Sequence, residues 1–189
     1  DWLASHPRSQ VDGPSDEELM EQFKGGSEQA FVALYKRYNR RVYAYCLKML
    51  GQREAAEDLF QEVFVRVTRK RDHFQSGNFS AWLFAIARNL CLNAIRDRVH
   101  HVPIDDVHES AMAFQPAEEY DESSEILKKA IEKLPHDLRE ALVLRVYNGF
   151  SYNEISEITN TKLATVKVRI FRAKQRLYDI LAPYFLDKV

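Results

Sequence analysis

Glycine, proline and cysteine are all scarce in this chain of 189 residues, which holds six, six and two of them. Two cysteines, Cys46 and Cys91, cannot form the disulfide framework of a small secreted domain, and buried structural thiols are the expected state. With so few helix-breaking residues, the breaks that do occur mark where elements end. Long hydrophobic runs are absent too. The longest, Ala81 to Ala87, falls far short of the roughly 18–20 residues that cross a bilayer, so no direct membrane insertion is expected. The first residues lack the basic, apolar, small-residue order of a signal peptide, and a cytoplasmic location is expected. Position 1 is Asp and not Met, so a start other than the native one is expected. Catalytic signatures are missing as well: there is no Gly-rich phosphate loop, nucleophile elbow or isolated carboxylate pair. His100, His101 and His108, with Cys91 nearby, lack the compact spacing of a zinc site. The expectation is a chain that is not an enzyme and takes no cofactor, no metal and no small-molecule substrate.

Net charge is also nearly absent, and that absence misleads. The 27 Lys and Arg against 28 Asp and Glu leave a formal charge of −1. By segment, residues 16–102 carry +3, residues 103–122 carry −7 with no basic residue, and residues 123–189 carry +4. Two basic blocks joined by an acidic strip are the asymmetry expected of a nucleic-acid binder. The 46% of hydrophobic residues suffices for a buried core and excludes wholesale disorder.

Helical spacing dominates. Ser15 to Glu18 is a capping box that opens a first helix, ended by Gly25-Gly26-Ser27. Ala30, Phe31, Leu34, Tyr35, Tyr38, Val42, Tyr45 and Cys46 recur at three- and four-residue steps up to Gly51. A third helix is predicted from about Glu54 to Val67, and a fourth from Phe79 to Arg96 after a loop at Gly77-Asn78. No sustained period occurs from 98 to 122, which holds Pro103 and Pro116 and reads as a flexible acidic linker. A second helical block follows, broken at Pro135, Gly149-Phe150 and Asn160. The expected fold class is all-α: two small helical domains, at 16–97 and 123–189, joined by the linker, with residues 1–15 disordered.

The sharpest feature lies at 150–181. Ser151 to Glu154 is a second capping box, and Asn160 can take the left-handed backbone of a tight turn. A helix from about Lys162 to Leu181 then completes a helix-turn-helix outline. Val166, Ile170, Ala173 and Leu177 form its buried stripe, while Lys162, Lys167, Arg169, Arg172, Lys174 and Arg176 make a face with no acid. A solvated helix face mixes signs to gain i,i+4 pairs; one sign alone suits phosphates. Phe171 sits off the stripe beside Lys167, where an aromatic can touch a thymine methyl. The bland alternative is a basic surface helix.

Two other faces are weaker signals. Asp58, Gln61 and Glu62 lie outward at i, i+3, i+4, either as solvated polarity or as a docking face for a basic protein. Asn89, Asn93 and Arg96 share a face of the fourth helix. The aromatics Phe74, Phe79, Trp82 and Phe84 nearby are either core or stacking surfaces for single-stranded nucleic acid.

The order Ala30-Phe31…Tyr35…Tyr38, Glu57-Asp58-Leu59-Phe60-Gln61-Glu62-Val63-Phe64, Phe79…Trp82-Leu83…Ile86-Ala87-Arg88-Asn89 closely resembles region two of bacterial sigma factors of the extracytoplasmic-function group. Leu134-Pro135…Leu138-Arg139-Glu140…Ser151-Tyr152-Asn153-Glu154-Ile155…Thr165-Val166-Lys167-Val168-Arg169-Ile170-Phe171-Arg172-Ala173-Lys174 resembles region four. The resemblance spans about 16–97 and 123–185. It implies that the chain binds core RNA polymerase, reads −10 and −35 promoter elements, and assists melting for transcription initiation. By the same resemblance, Asp58, Gln61 and Glu62 match the motif that grips the β′ clamp helices, and the polymerase β flap is a second expected contact. Phe74, Ser76, Asn78, Phe79, Arg88, Asn89, Asn93 and Arg96 are the implied −10 residues, with Asn89 lining a pocket for a flipped base. Lys162, Thr165, Lys167, Val168, Arg169, Phe171, Arg172, Lys174 and Arg176 are the implied −35 residues. An anti-sigma factor is a further implied partner. The sequence departs from the family at Val168 (usually Ser), Ala164 (often Gly), Ser156 (usually Ala) and Asn160 (commonly Gly). The acidic linker is either a solvated spacer or, as in the family, a segment threading the polymerase cleft. The alternative function is a stand-alone helix-turn-helix regulator, which would need no polymerase contact at Asp58.

Overall fold

A computed structural model of the chain describes residues 13–75, 77–101 and 122–186, and every regular element among them is helical. Helix α1 (Asp16–Lys24) starts where Ser15 Oγ accepts from the Glu18 amide at 3.1 Å and Glu18 Oε2 accepts from the Ser15 amide at 2.7 Å. This reciprocal cap satisfies two amides that a helix start otherwise leaves open. Asp16 accepts from both Arg37 and Tyr38 and so ties α1 to α2 (Glu28–Leu50). Ala30, Leu34, Tyr38, Val42, Tyr45, Cys46 and Met49 are buried along α2, at the steps that put them on one face. Gly51 ends it with a left-handed φ of 70°, a conformation glycine takes without steric cost.

Helix α3 (Arg53–Lys70) buries Ala56, Val63, Phe64 and Val67 against α2 and runs into a short 3-10 turn at Arg71–His73. Helix α4 (Phe79–His101) differs in kind. Ala81, Leu83, Phe84, Ile86, Ala87, Leu90 and Cys91 are all buried, and they span more than one face. A helix buried on more than one face needs more than one cover. On one side α4 meets α2 and α3; on the other it meets the C-terminal half.

That half comprises α5 (Glu122–Glu132), α6 (His136–Leu142), α7 (Tyr152–Thr159) and α8 (Leu163–Leu186). Between α6 and α7 the chain widens into a π turn at Val143–Tyr147, where the Asn148 amide donates to the Val143 carbonyl at 3.2 Å. The widening delivers Phe150 to the core, 4.9 Å from Phe84 of α4 with the rings 73° apart. Ile155, Ile158, Val166 and Ile170 join the same apolar cluster as α2–α4. A second, smaller cluster holds Ile131, Leu134, Leu142 and Ala173. Both helical blocks expected from the sequence are present, and they are packed on each other along α4. The linker at 102–121 lies outside the described residues, as do residues 1–12.

Candidate nucleic-acid interface

Helices α7 and α8 are joined by a turn whose parts are each accounted for. Ser151 Oγ accepts from the Glu154 amide at 3.2 Å and Glu154 Oε2 accepts from the Ser151 amide at 2.8 Å, the second capping box. Asn160 is left-handed at φ 49°, ψ 46°, as the turn chemistry predicts. The Thr161 amide returns to the Ser156 carbonyl at 3.1 Å, and Thr159 Oγ1 bonds the Ile155 carbonyl at 2.6 Å. These bonds fix the angle at which α8 leaves α7.

Val166, Ile170 and Ala173 of α8 are buried, so its opposite face is outward. Lys162, just before the helix, and Thr165, Lys167, Arg172, Lys174 and Arg176 on it are exposed. Val168 is 47% and Phe171 68% exposed, an apolar pair that the fold itself leaves without a partner. Arg169 stands apart from the other basic residues. It is half-buried and its Nε lies 3.4 Å from Asp137 Oδ2 of α6. Five exposed cations flanking two outward apolar side chains can track phosphates and touch base edges in a major groove.

The second region surrounds the start of α4. Asn78 Oδ1 accepts from the Ala81 amide at 3.1 Å and from Ser80 Oγ at 2.7 Å, capping the helix, and its Nδ2 donates to Glu154 Oε1 at 2.7 Å. An open pocket of about 420 Å³ here is lined by His73, Phe74, Gln75, Gly77, Asn78, Ala81, Trp82, Ala85 and Glu157. Phe74, 4% exposed, lines this pocket, and Phe79, 1% exposed, packs behind it with the rings 5.9 Å apart. Trp82 is half-buried, edging the pocket while contacting both of them at 5.3 and 5.9 Å between centroids. Asn89, Asn93 and Arg96 are exposed farther along α4, outside this pocket, with Arg96 bonded to Asn93 Oδ1 at 3.0 Å. Arg88 is half-buried and bonded to Glu140 at 2.8 Å. Ser76 lies outside the described residues.

On α3, Asp58 and Gln61 are exposed, and Glu62 is held at 2.8 Å by Arg66 one turn on. Val65 sits beside them and is 40% exposed. Sequence reasoning passed over it, although it falls three residues after Glu62 and off the buried Val63-Phe64-Val67 stripe. An outward valine among acids marks a surface with an apolar centre and a charged rim. Among the described residues no group of metal-ligating side chains assembles, and no helix is long and apolar enough to cross a membrane.

Residues 34–100 match the family described as sigma-70 region 2, and residues 124–177 match sigma-70 region 4. The chain is 36% identical over 157 residues to the ECF RNA polymerase sigma factor SigE of Mycolicibacterium smegmatis, covering 80% of this chain and 61% of that protein's length. It is 31% identical to the ECF RNA polymerase sigma-E factor of Escherichia coli strain K12, over 89% of this chain and 95% of that one. The fold superimposes with a TM-score of 0.72 on the sigma factor RpoE from Bartonella quintana, solved with the anti-sigma factor NepR. That match has 31% identity and covers 80% of this chain and 96% of that one.

Proposed function

The chain belongs to the extracytoplasmic-function group of sigma-70 RNA polymerase sigma factors, and on that premise we propose how its own residues do the work. Residues 123–189 read the −35 element as duplex. Lys162, Lys167, Arg172, Lys174 and Arg176 neutralise phosphates and release their counterions, which supplies affinity without sequence preference. Thr165, Val168 and Phe171 face base edges, with the two apolar side chains suited to thymine methyls. Arg169 holds α8 to α6 through Asp137. The observation that carries this reading is the capped helix-turn-helix that leaves Phe171 68% exposed amid single-sign charge.

Residues 16–97 engage polymerase and the −10 element. Asp58, Gln61 and Glu62, with Val65 at their centre, dock on the β′ clamp helices; the C-terminal half meets the β flap. The pocket beside Asn78 and Trp82 takes a base extruded from the −10 element, and Arg88, Asn89, Asn93 and Arg96 follow the strand backbone. Binding an unstacked base offsets part of the unstacking cost and favours the melted state with no bond made or broken. Sigma factors are not enzymes, and this chain works in the cytoplasm beside polymerase and DNA. RpoE was solved with an anti-sigma factor, and an anti-sigma partner is proposed for this chain as well.

Transcription in vitro with core polymerase tests the whole reading. Promoter-dependent transcripts are expected only when the chain is added; DNA binding without any initiation would leave a stand-alone regulator as the better description.

A further inference from the structure

Helix α1 precedes the segment 34–100 that matches sigma-70 region 2. Leu19, Met20 and Phe23 are buried, and Asp16 bonds Arg37 and Tyr38, which seats α1 on α2. Other side chains of α1 reach the connection from α3 to α4, which Arg71 opens and Phe79 closes. Glu17 Oε1 accepts from the Phe79 amide, the first of α4, at 3.3 Å. Lys24 Nζ lies over the Phe74 ring, 5.6 Å from its centroid. The Arg71 guanidinium lies over the Phe23 ring at 5.4 Å. Phe74 lines the pocket at the start of α4, so α1 grips the pocket loop at both ends and at its wall.

The loop has little else to shape it. The Phe74 amide donates to the Arg71 carbonyl at 3.2 Å, and after it Phe74, Gln75, Gly77 and Asn78 belong to no regular element. A segment without a ladder of backbone bonds takes its form from the side chains packed on it. At the start of α4, Asn78 Oδ1 takes the Ala81 amide and Glu17 takes the Phe79 amide. One open amide is thus satisfied from within the loop and another from α1. A carboxylate there also suits the positive end of the α4 dipole. The Lys24 ammonium donates to Glu21 Oε1 at 2.7 Å, three residues back on α1, which fixes its place over the ring. Phe74 in turn lies 5.3 Å from Trp82 and 5.9 Å from Phe79 between centroids. A shift of Phe74 is therefore passed to the tryptophan that edges the pocket.

We propose that α1 sets the shape of the base pocket, with Glu17 and Lys24 as positioning residues for −10 recognition that touch no DNA themselves. The proposal rests on the assignment of that pocket to an extruded −10 base. A pocket selects a base by fit, and fit is lost when the supporting contacts loosen. Contacts to the strand backbone do not depend on that fit, so the loss falls on the base alone.

The test uses the full chain with Trp2→Phe, which leaves Trp82 as the single tryptophan and a reporter of the pocket. Glu17→Ala and Lys24→Met remove the two contacts, while Glu17→Gln keeps an acceptor and Lys24→Arg keeps a cation. In the free protein the first two variants are expected to shift Trp82 emission to the red and open it to acrylamide quenching, at unchanged helix content by circular dichroism. Holoenzymes assembled with core polymerase then bind a labelled single strand that the unsubstituted holoenzyme has enriched from a randomised pool. Copies of that strand carry an abasic site at each position in turn. The unsubstituted holoenzyme is expected to lose about tenfold in affinity at one abasic position. In Glu17→Ala and Lys24→Met that penalty is expected to shrink about threefold each, as one hydrogen bond or one cation–π contact is lost. The abasic strand should bind all five proteins alike, and Glu17→Gln and Lys24→Arg should keep the full penalty. A full penalty in both Glu17→Ala and Lys24→Met, or unshifted Trp82 emission, would overturn the role of α1 and leave the pocket standing. Equal weakening on intact and abasic strands would overturn it as well. An unsubstituted holoenzyme indifferent to every abasic site would overturn the pocket assignment, and the proposal with it.

Discussion

On the proposed −35 assignment, five exposed cations, Lys162 just before α8 and four on it, should fix how steeply binding falls with salt. Each neutralised phosphate on B-DNA contributes about −0.9 to the slope of log K against log salt. Lys162, Lys167, Arg172, Lys174 and Arg176 therefore set a slope near −4.5, or about a 500-fold loss of affinity between 50 and 200 mM salt. Counting Arg169 as a sixth contact would raise that loss to about 1,800-fold. Arg169 is excluded because it is half-buried and paired with Asp137 at 3.4 Å. Fluorescence anisotropy of a labelled −35 duplex, titrated at several salt concentrations, separates the roles. Lys167→Ala should flatten the slope by about 0.9 and weaken all sequences alike. Phe171→Ala should leave the slope alone, cost about 1–3 kcal/mol on the preferred site, and relax base preference there. Arg169→Ala should leave the slope alone and lower the melting temperature. A slope change for Arg169→Ala equal to that of Lys167→Ala would refute the account, since the Asp137 pair would then have to open on DNA.

Asn160→Ala should cost about 1–2 kcal/mol of stability, because a Cβ without a polar handle is strained at φ 49°; Asn160→Gly should not, and chemical denaturation distinguishes them. Asp58→Arg and Val65→Asp should each weaken capture by core polymerase at least tenfold, while −35 duplex affinity, read on the same preparations, stays unchanged. Burial holds the pKa of His136 below its ordinary 6.5, against the pull of Glu140 and with Arg139 and Arg88 adding to the depression. The folded chain thus prefers the neutral imidazole, so its stability should fall as pH drops through 6.5 and toward the lower folded value. A His136→Leu variant should show a flatter melting-temperature profile between pH 7.5 and 5.5, and parallel profiles would exclude His136 as the source.

Local signals carried far in this sequence. The capping boxes at Ser15 and Ser151, the left-handed stops at Gly51 and Asn160, and the stripe along α2 each depend on residues within one turn of each other. The helix-turn-helix is made of such signals, so its geometry was legible. What joins the halves was not, because Glu140 is 52 positions from Arg88 and Glu154 is 76 from Asn78. One trace of it was visible. The apolar run Ala81 to Ala87 is too short for a membrane but too continuous for a helix with one wet side, and it marks where α7 lies on α4. Arg169 was misleading for a related reason. It falls three residues after Val166 and four before Ala173, on the flank of the buried stripe, and only the third element, α6, decides its partner.

Charge is sorted within the C-terminal half as well as between the segments of the chain. From Lys162 to Arg176 there is no acid, and that face is outward. Glu140, Glu154 and Glu157 lie instead toward α4 and its N-terminal loop. The two faces must then respond differently to ionic strength. Exposed cations lose their hold on phosphate as the Debye length shrinks from about 10 Å at 0.1 M toward 3 Å at 1 M. The Arg88–Glu140 pair, at 17% and 2% exposure, is screened far less. The Arg88–Glu140 pair should therefore survive salt that weakens any hold of the exposed cations on phosphate. Low salt therefore favours the approach of the α8 cations to phosphate, while the contact between α4 and α6 is left nearly unchanged by the ionic medium.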